Sequence, residues 1–248
     1  MSAKGRNVAG YEPESSDFYA TPYWCTRAIL RLVTPSTQGR PPIILDPFAG
    51  EGAILDVCKA AGYQTAGIEL HAGRAERAAS SGHAVQQGNS FVDEWPKADA
   101  VITNPPYSMT IDSVKAALKF VATHGVDAAF LLRLGFLGSQ DRADFHKNNL
   151  SDFYVLPRRP QYAMSVSCSK KKTGCEWGVR IPYLPTGELS EPAPARCPKC
   201  SAETTSSSSD ASEYAWFVYG PNRGGRWSVL DVEPARAVAE TKQIGLFT

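Results

Sequence analysis

The chain has 248 residues and a formal net charge of +1, from 26 Lys+Arg against 25 Asp+Glu. That balance neither demands nor excludes a nucleic-acid partner, and the length suits one large α/β domain with room for a small insertion. No apolar run is long enough to span a bilayer, and residues 1–16 lack the apolar centre of a signal peptide, so a cytoplasmic protein without membrane contact is expected.

Residues 1–16 read as a flexible tail. Thr21 suits an N-cap and Pro22 a first helical position, and Ala28, Ile29, Leu32 and Val33 recur at helical spacing to about Val33. After a Pro/Ser/Gly loop, the run Ile43-Ile44-Leu45-Asp46 reads as a buried strand entering a glycine loop through Gly50 and Gly52. A helix follows over 53–61, stopped by Gly62, then a strand over 64–68 that ends at Glu69. Further elements are a helix over 73–81, strands over 83–87 and 98–103, and a helix over 111–123. A fully buried strand over 128–134, a helix over 140–148 and a strand over 153–156 complete the series. This alternation calls for a mostly parallel sheet covered on both faces, with ligands at the carboxyl ends of its strands.

The αβ rhythm stops after Arg158. Residues 201–212 are rich in Ser and Thr and read as a disordered loop. Residues 214–219 (Tyr-Ala-Trp-Phe-Val-Tyr) return to strand composition as a seventh strand of the main sheet. Residues 227–230 give a short extension, and 231–248 a loose tail.

Val101-Ile102-Thr103-Asn104-Pro105-Pro106-Tyr107 is the most informative stretch. A buried strand stops at a carboxamide, two prolines stiffen the backbone, and an aromatic ring follows. Asn104 and the carbonyl of Pro105 offer hydrogen-bond acceptors, and Tyr107 offers a flat face. Two acceptors beside a stacking platform suit an exocyclic amine on a planar ring, that is, a nucleobase. Upstream, Gly50 and Gly52 allow close approach of a ligand at a helix N-terminus. The spacing is neither G-x-G-x-x-G nor a Walker loop, and Glu69 stands where ribose hydroxyls would need an acceptor. A nucleoside-type ligand without a phosphate chain fits this loop better than NAD or ATP.

Asp46-Pro-Phe-Ala-Gly-Glu-Gly52, Glu69 and Asn104-Pro-Pro-Tyr107, in that order, resemble the S-adenosylmethionine-dependent amino-methyltransferases that act on DNA. Asp17-Phe-Tyr-Ala-Thr-Pro22 resembles their N-terminal cofactor motif. Leu156-Pro-Arg-Arg-Pro-Gln-Tyr162 resembles the later motif whose aromatic residue packs against the flipped base. The likeness is to phage and prophage adenine-N6 enzymes. It implies a Rossmann-like α/β sheet of seven strands, mostly parallel with one antiparallel, over residues 17–162 and 213–230. It also implies S-adenosylmethionine held by Tyr19, Thr21, Pro22, Asp46, Phe48, Gly50, Gly52, Glu69, Asn89 and Asn104. Asn89 is a departure, because the family often has an acid there. Asn104, Pro105, Pro106 and Tyr107 would carry catalysis on an extruded adenine, with Tyr107 and Tyr162 as stacking faces. DNA is the expected partner, with methylation of an RNA base or a protein glutamine amide, or a catalytically vestigial nucleic-acid-binding module, as the alternatives, and no obligatory protein partner is expected.

Of six cysteines, Cys25 and Cys58 read as small buried residues. Cys168, Cys175, Cys197 and Cys200 form two pairs in one segment without a secretory context, which favours one structural zinc in an insertion over 163–212. Arg158, Arg159, Lys170, Lys171, Lys172 and Arg180 lie around them, and this local basic excess marks the insertion as a candidate target-recognition element.

Overall fold

The computed structural model describes residues 19–35, 37–169, 174–208, 212–221 and 224–231. The tail expected over 1–16 lies outside these residues, as does the second tail beyond Asp231. In chain order the first half comprises α1 (Tyr23–Val33), β1 (Ile43–Asp46), α2 (Ala53–Ala60), β2 (Gln64–Glu69), α3 (Ala72–Ser80) and β3 (Ala84–Gln87). It continues through β4 (Ala100–Thr103), α4 (Thr110–His124), β5 (Asp127–Arg133), α5 (Gln140–Asn149) and β6 (Asp152–Val155). A small group follows: β7 (Ala163–Cys168), β8 (Gly178–Pro182) and β9 (Thr204–Ser208). The chain then returns through β10 (Tyr214–Tyr219) and β11 (Trp227–Val229).

The main sheet runs β11-β6-β10-β5-β4-β1-β2-β3. β1 pairs in parallel with β2 on one side and β4 on the other, so its carboxyl end is the point where the winding reverses. β10 is antiparallel to both β5 and β6. Its side chains alternate between the two faces: Tyr214, Trp216 and Val218 join the core with α1 and α2, while Ala215, Phe217 and Tyr219 join the core with α4. Every residue of β10 is buried, which is why its composition is apolar without a break. Phe217→Ala would leave a cavity costing about 3–5 kcal/mol.

The sheet has eight strands, not the seven expected. The addition is β11, which pairs in parallel with β6. Its three residues are all exposed, with Trp227 76% accessible, so no buried apolar run announces it. Backbone pairing at the edge holds it, aided by Asp152, which accepts from the Arg226 amide at 2.9 Å.

A second correction concerns residues 201–212. Within that Ser/Thr stretch, β9 pairs antiparallel with β7 from Cys168↔Thr204 to Met164↔Ser208, while β8 covers the other edge of β7. Main-chain hydrogen bonds make this strand, and its polar composition gives no periodicity to read. At the entrance to α1, Thr21 is not the N-cap. Pro22 occupies that position in an extended conformation, with no side-chain cap, which leaves the Thr21 hydroxyl for another partner.

Candidate active site

Asp46 ends β1 and is 1% exposed. Its Oδ1 accepts from the Phe48 amide at 3.0 Å and from Thr103 Oγ1 at 2.6 Å, so it braces the loop against β4. Burial raises its pKa to about 7; the bonds from Thr103 and Phe48 oppose that rise, and Glu69 adds to it. Gly50 and Gly52 have φ of 55° and 93°, a region that strains residues with a Cβ. A Cβ at Gly52 would stand 3.0 Å from the ring of His83, which is itself held between Thr65 and Asp56.

Glu69 ends β2 and grips the same loop. Its Oε2 accepts from Gly50 N at 2.8 Å, its Oε1 accepts from His71 N at 2.8 Å, and Arg74 lies 3.8 Å away. Asn89, just beyond β3, spends its Oδ1 on the Phe91 amide at 3.0 Å, and its own amide donates to Asp93. The turn so made places the Phe91 ring 5.5 Å from that of Phe48. Both rings line a cavity of about 510 Å³, together with Gly50, Glu69, Asn89 and Asn104. Phe91 was invisible in the sequence because it follows a Gly-Asn-Ser turn and belongs to no periodic run.

Asn104 ends β4 at the same edge. Its Nδ2 donates to Thr21 Oγ1 at 3.0 Å, and its Oδ1 is buried with no hydrogen-bond partner among the described residues. Pro105, Pro106 and Tyr107 extend the cavity wall from there. The Tyr107 ring packs near-parallel to Tyr19 with centroids 6.2 Å apart, and the Arg133 guanidinium lies 4.9 Å from its centre. Arg133, at the end of β5, belongs to no motif that would mark it in the sequence.

Tyr162 stands apart from the cavity wall. It is 4% exposed within the α1-side core, and its hydroxyl meets that of Tyr107 at 3.2 Å. Burial pushes both phenols well up, so both stay protonated. A stacking face for Tyr162 does not fit this burial, and Tyr19, 5.2 Å from it, is the ring that lines the cavity.

The insertion reaches the same cavity. Pro182, Tyr183, Leu184 and Pro185 line it, and the Tyr23 amide donates to the Pro185 carbonyl at 2.9 Å. The four insertion cysteines converge, with all their sulfurs within 4.8 Å of one another. Cys168 and Cys200 are 3.5 Å apart, Cys175 and Cys197 3.7 Å. Four thiolates around a tetrahedral zinc stand ~3.8 Å apart for Zn–S bonds of ~2.3 Å, so the cluster could hold that ion. The Ala202 amide, then Cys168, lower the Cys200 thiol to about 7, toward the thiolate a metal needs. Cys25 and Cys58 are buried in the core, and burial pushes both thiols up.

The expected basic set is split. Lys170, Lys171 and Lys172 lie outside the described residues. Arg158 stacks on Trp24 at 4.4 Å beside a groove along α1, and Arg159 pairs with Glu213. Arg180 lies 5.9 Å from the Tyr19 ring at the cavity. Among the described residues no helix is long and apolar enough to cross a membrane.

No protein-family model matches the sequence, and no curated protein does. Solved structures do. A protein of Listeria monocytogenes assigned to the class I S-adenosylmethionine-dependent methyltransferases is 13% identical, covers 95% of this chain and 74% of its own, and superposes with a TM-score of 0.52. A TehB-like S-adenosylmethionine-dependent methyltransferase of Corynebacterium glutamicum is 14% identical over 87% of this chain and 91% of its own, with a TM-score of 0.44. The glycopeptide N-methyltransferase MtfA, solved with S-adenosylmethionine, is 12% identical over 85% and 99%, with a TM-score of 0.44. The superposition on the Listeria protein shows a class I methyltransferase fold.

Proposed function

We propose that this protein transfers a methyl group from S-adenosylmethionine to N6 of an adenine extruded from DNA. The observation that carries the reading is Asn104 Oδ1: a buried carbonyl oxygen with no partner among the described residues, at the carboxyl end of β4, on the wall of the cavity that holds the glycine loop. A buried acceptor left unmade costs about 1–3 kcal/mol, and a ligand N–H would recover that cost.

The residues present fit the cofactor. The backbone of Gly50 lines the cavity at positive φ, Glu69 retains lone pairs for ribose hydroxyls, and Phe48 and Phe91 offer apolar rings to a purine. Bound there, S-adenosylmethionine would supply an electrophilic methyl carbon on a sulfonium, whose sulfur leaves as a neutral thioether.

The chain's own residues position the nucleophile. Asn104 Oδ1 accepts one N6 hydrogen, and the Pro105 carbonyl accepts the other. Those bonds draw N6 toward a pyramidal geometry that withdraws its lone pair from the ring π system, and they stabilise the positive charge that develops on N6 until it releases a proton. Tyr107 stacks on the base. An adenine paired within a duplex cannot reach this recess, so it enters flipped. In our reading the four cysteines hold a structural zinc, and the insertion, with Arg180, contributes to DNA binding.

Incubation with methyl-labelled cofactor and DNA or RNA, followed by nucleoside analysis, tests the reading. N6-methyladenine in DNA is the expected product. Label in RNA alone would change the substrate, and label in neither would overturn the proposal. Asn104→Ala should abolish turnover and leave cofactor affinity within about threefold, since in this reading the Asn104 carboxamide meets the substrate amine and Thr21 rather than the cofactor.

A further inference from the structure

Resting on that reading, we infer that Thr21 is a positioning residue, whose hydroxyl oxygen holds the Asn104 carboxamide with its carbonyl toward the substrate amine. A carboxamide is nearly symmetric in shape: turned by 180° about its last bond, it fills the same space but exchanges acceptor for donor. Packing therefore cannot choose between the two orientations, and only hydrogen bonds can. The exocyclic amine of an adenine presents N–H groups in its plane. An Asn104 turned the wrong way would set N–H against N–H and leave the amine without its acceptor.

A threonine hydroxyl can donate as well as accept, so Thr21 sets the orientation only while it accepts, and the structure has it accepting. Asn104 Nδ2 donates to Thr21 Oγ1 at 3.0 Å, which leaves Oδ1 on the other side. Thr21 is 3% exposed, so water is poorly placed to substitute for its oxygen. The segment that carries it is fixed on the helix side: the Pro22 carbonyl accepts from Cys25 N at 2.9 Å, and the Tyr23 amide donates to Pro185 at 2.9 Å. A β-branched side chain adds stiffness at χ1. The hydroxyl is not needed as a helix cap, because α1 has no side-chain cap.

The inference separates orientation from cofactor contact. An aspartate carboxylate in place of the Asn104 carboxamide has two equivalent acceptor oxygens and no wrong orientation. Thr21 should therefore matter in the native background and cease to matter once Asn104→Asp is introduced.

The test is a double-mutant cycle of Thr21→Val and Asn104→Asp, with Thr21→Ser and Thr21→Ala as controls of size and chemistry. Thr21→Val should lower kcat on the order of tenfold, the bias that one hydrogen bond supplies, with the cofactor Kd by calorimetry unchanged within about twofold. Thr21→Ser should recover most of the loss, and Thr21→Ala should not. In the Asn104→Asp background the valine effect should shrink below about twofold. A readout without turnover is the Asn104 side-chain amide in ¹⁵N spectra. Its protons should be protected from exchange in the native protein and in Thr21→Ser, and lose that protection in Thr21→Val.

Three results would each overturn the inference: a valine variant with native kcat and native amide protection, a loss of equal size in the aspartate background, or a loss appearing as weaker cofactor binding. If the native protein methylates nothing, the proposed function fails instead, while the amide protection still decides whether Thr21 holds the carboxamide.

Discussion

The amide of Tyr23 donates to the carbonyl of Pro185 at 2.9 Å, joining the first turn of α1 to the turn that follows β8. Both residues line the cavity. That turn is closed by Leu184 N to Glu188 O at 2.7 Å and by Ser190 N to Pro182 O at 2.9 Å. The cysteine cluster thus adjoins a small sheet whose far end forms part of the cavity, and losses at one end should be felt at the other.

Metal removal follows from this connection. The purified protein should hold one zinc per chain by elemental analysis. Chelation, or Cys197→Ser, should lower Tm and weaken cofactor binding together, since a structural zinc contributes folding free energy directly. Unchanged cofactor affinity in verified metal-free protein would show that the Tyr183–Pro185 turn keeps its place without the ion.

The glycine loop allows a comparison of strain with crowding. Gly62 and Gly52 both have positive φ, but a Cβ at Gly62 meets nothing within 4 Å, whereas at Gly52 it meets His83 at 3.0 Å. Gly62→Ala should cost only backbone strain, about 1–2 kcal/mol, with native cofactor affinity. Gly52→Ala should cost more, because His83 is held on both sides, and should also weaken cofactor binding severalfold. Urea midpoints and calorimetry on the two variants check this; equal behaviour would remove His83 from the account.

How much of this was legible beforehand depended on whether a residue's role lies in its own run of sequence. β1, β4 and β10 are largely apolar runs ended by Asp46, Asn104 and Gly220, and β2 ends at Glu69, so these strands and the residues at their ends could be read directly. Trp227 and Val229 carry no such signal, because β11 is held by backbone pairing at an exposed edge. β9 was hidden for the same reason, its serines and threonines pairing through main chain. Local context marks Thr21 as a cap, whereas its partner Asn104 is 83 residues away. Tyr162 was assigned by motif position, but burial against Tyr19 and Tyr107 decides what its ring can touch.

Tyr107 separates ring from hydroxyl. The hydroxyl meets the buried Tyr162 oxygen at 3.2 Å, while the residue lines the cavity. Tyr107→Phe should leave methylation within about threefold. Tyr107→Ala should lower kcat/KM by roughly 5- to 150-fold, the equivalent of about 1–3 kcal/mol of base stacking. A phenylalanine variant as impaired as the alanine one would transfer the role from the ring to the hydroxyl pair.

Asp46 gives the pH dependence. Its pKa is about 7 in the folded protein against an ordinary 3.8, chiefly through burial. Between those values the folded state keeps a proton that the unfolded chain has released. This contribution to stability is fully present below pH 3.8 and is lost as pH rises through about 7. Asp46→Asn keeps an Oδ1 acceptor for Phe48 and Thr103 but cannot ionise, so the fall in urea midpoint between pH 5 and pH 8 should flatten in that variant. Cofactor binding should show the opposite trend. Asp46 lines the cavity, and a cationic ligand there favours the carboxylate. Native affinity for S-adenosylmethionine should therefore tighten from pH 6 to pH 8, while Asp46→Asn should bind with little change over that range. Should both proteins tighten equally, the buried acid is only a brace for the loop, and the ligand's charge is met elsewhere.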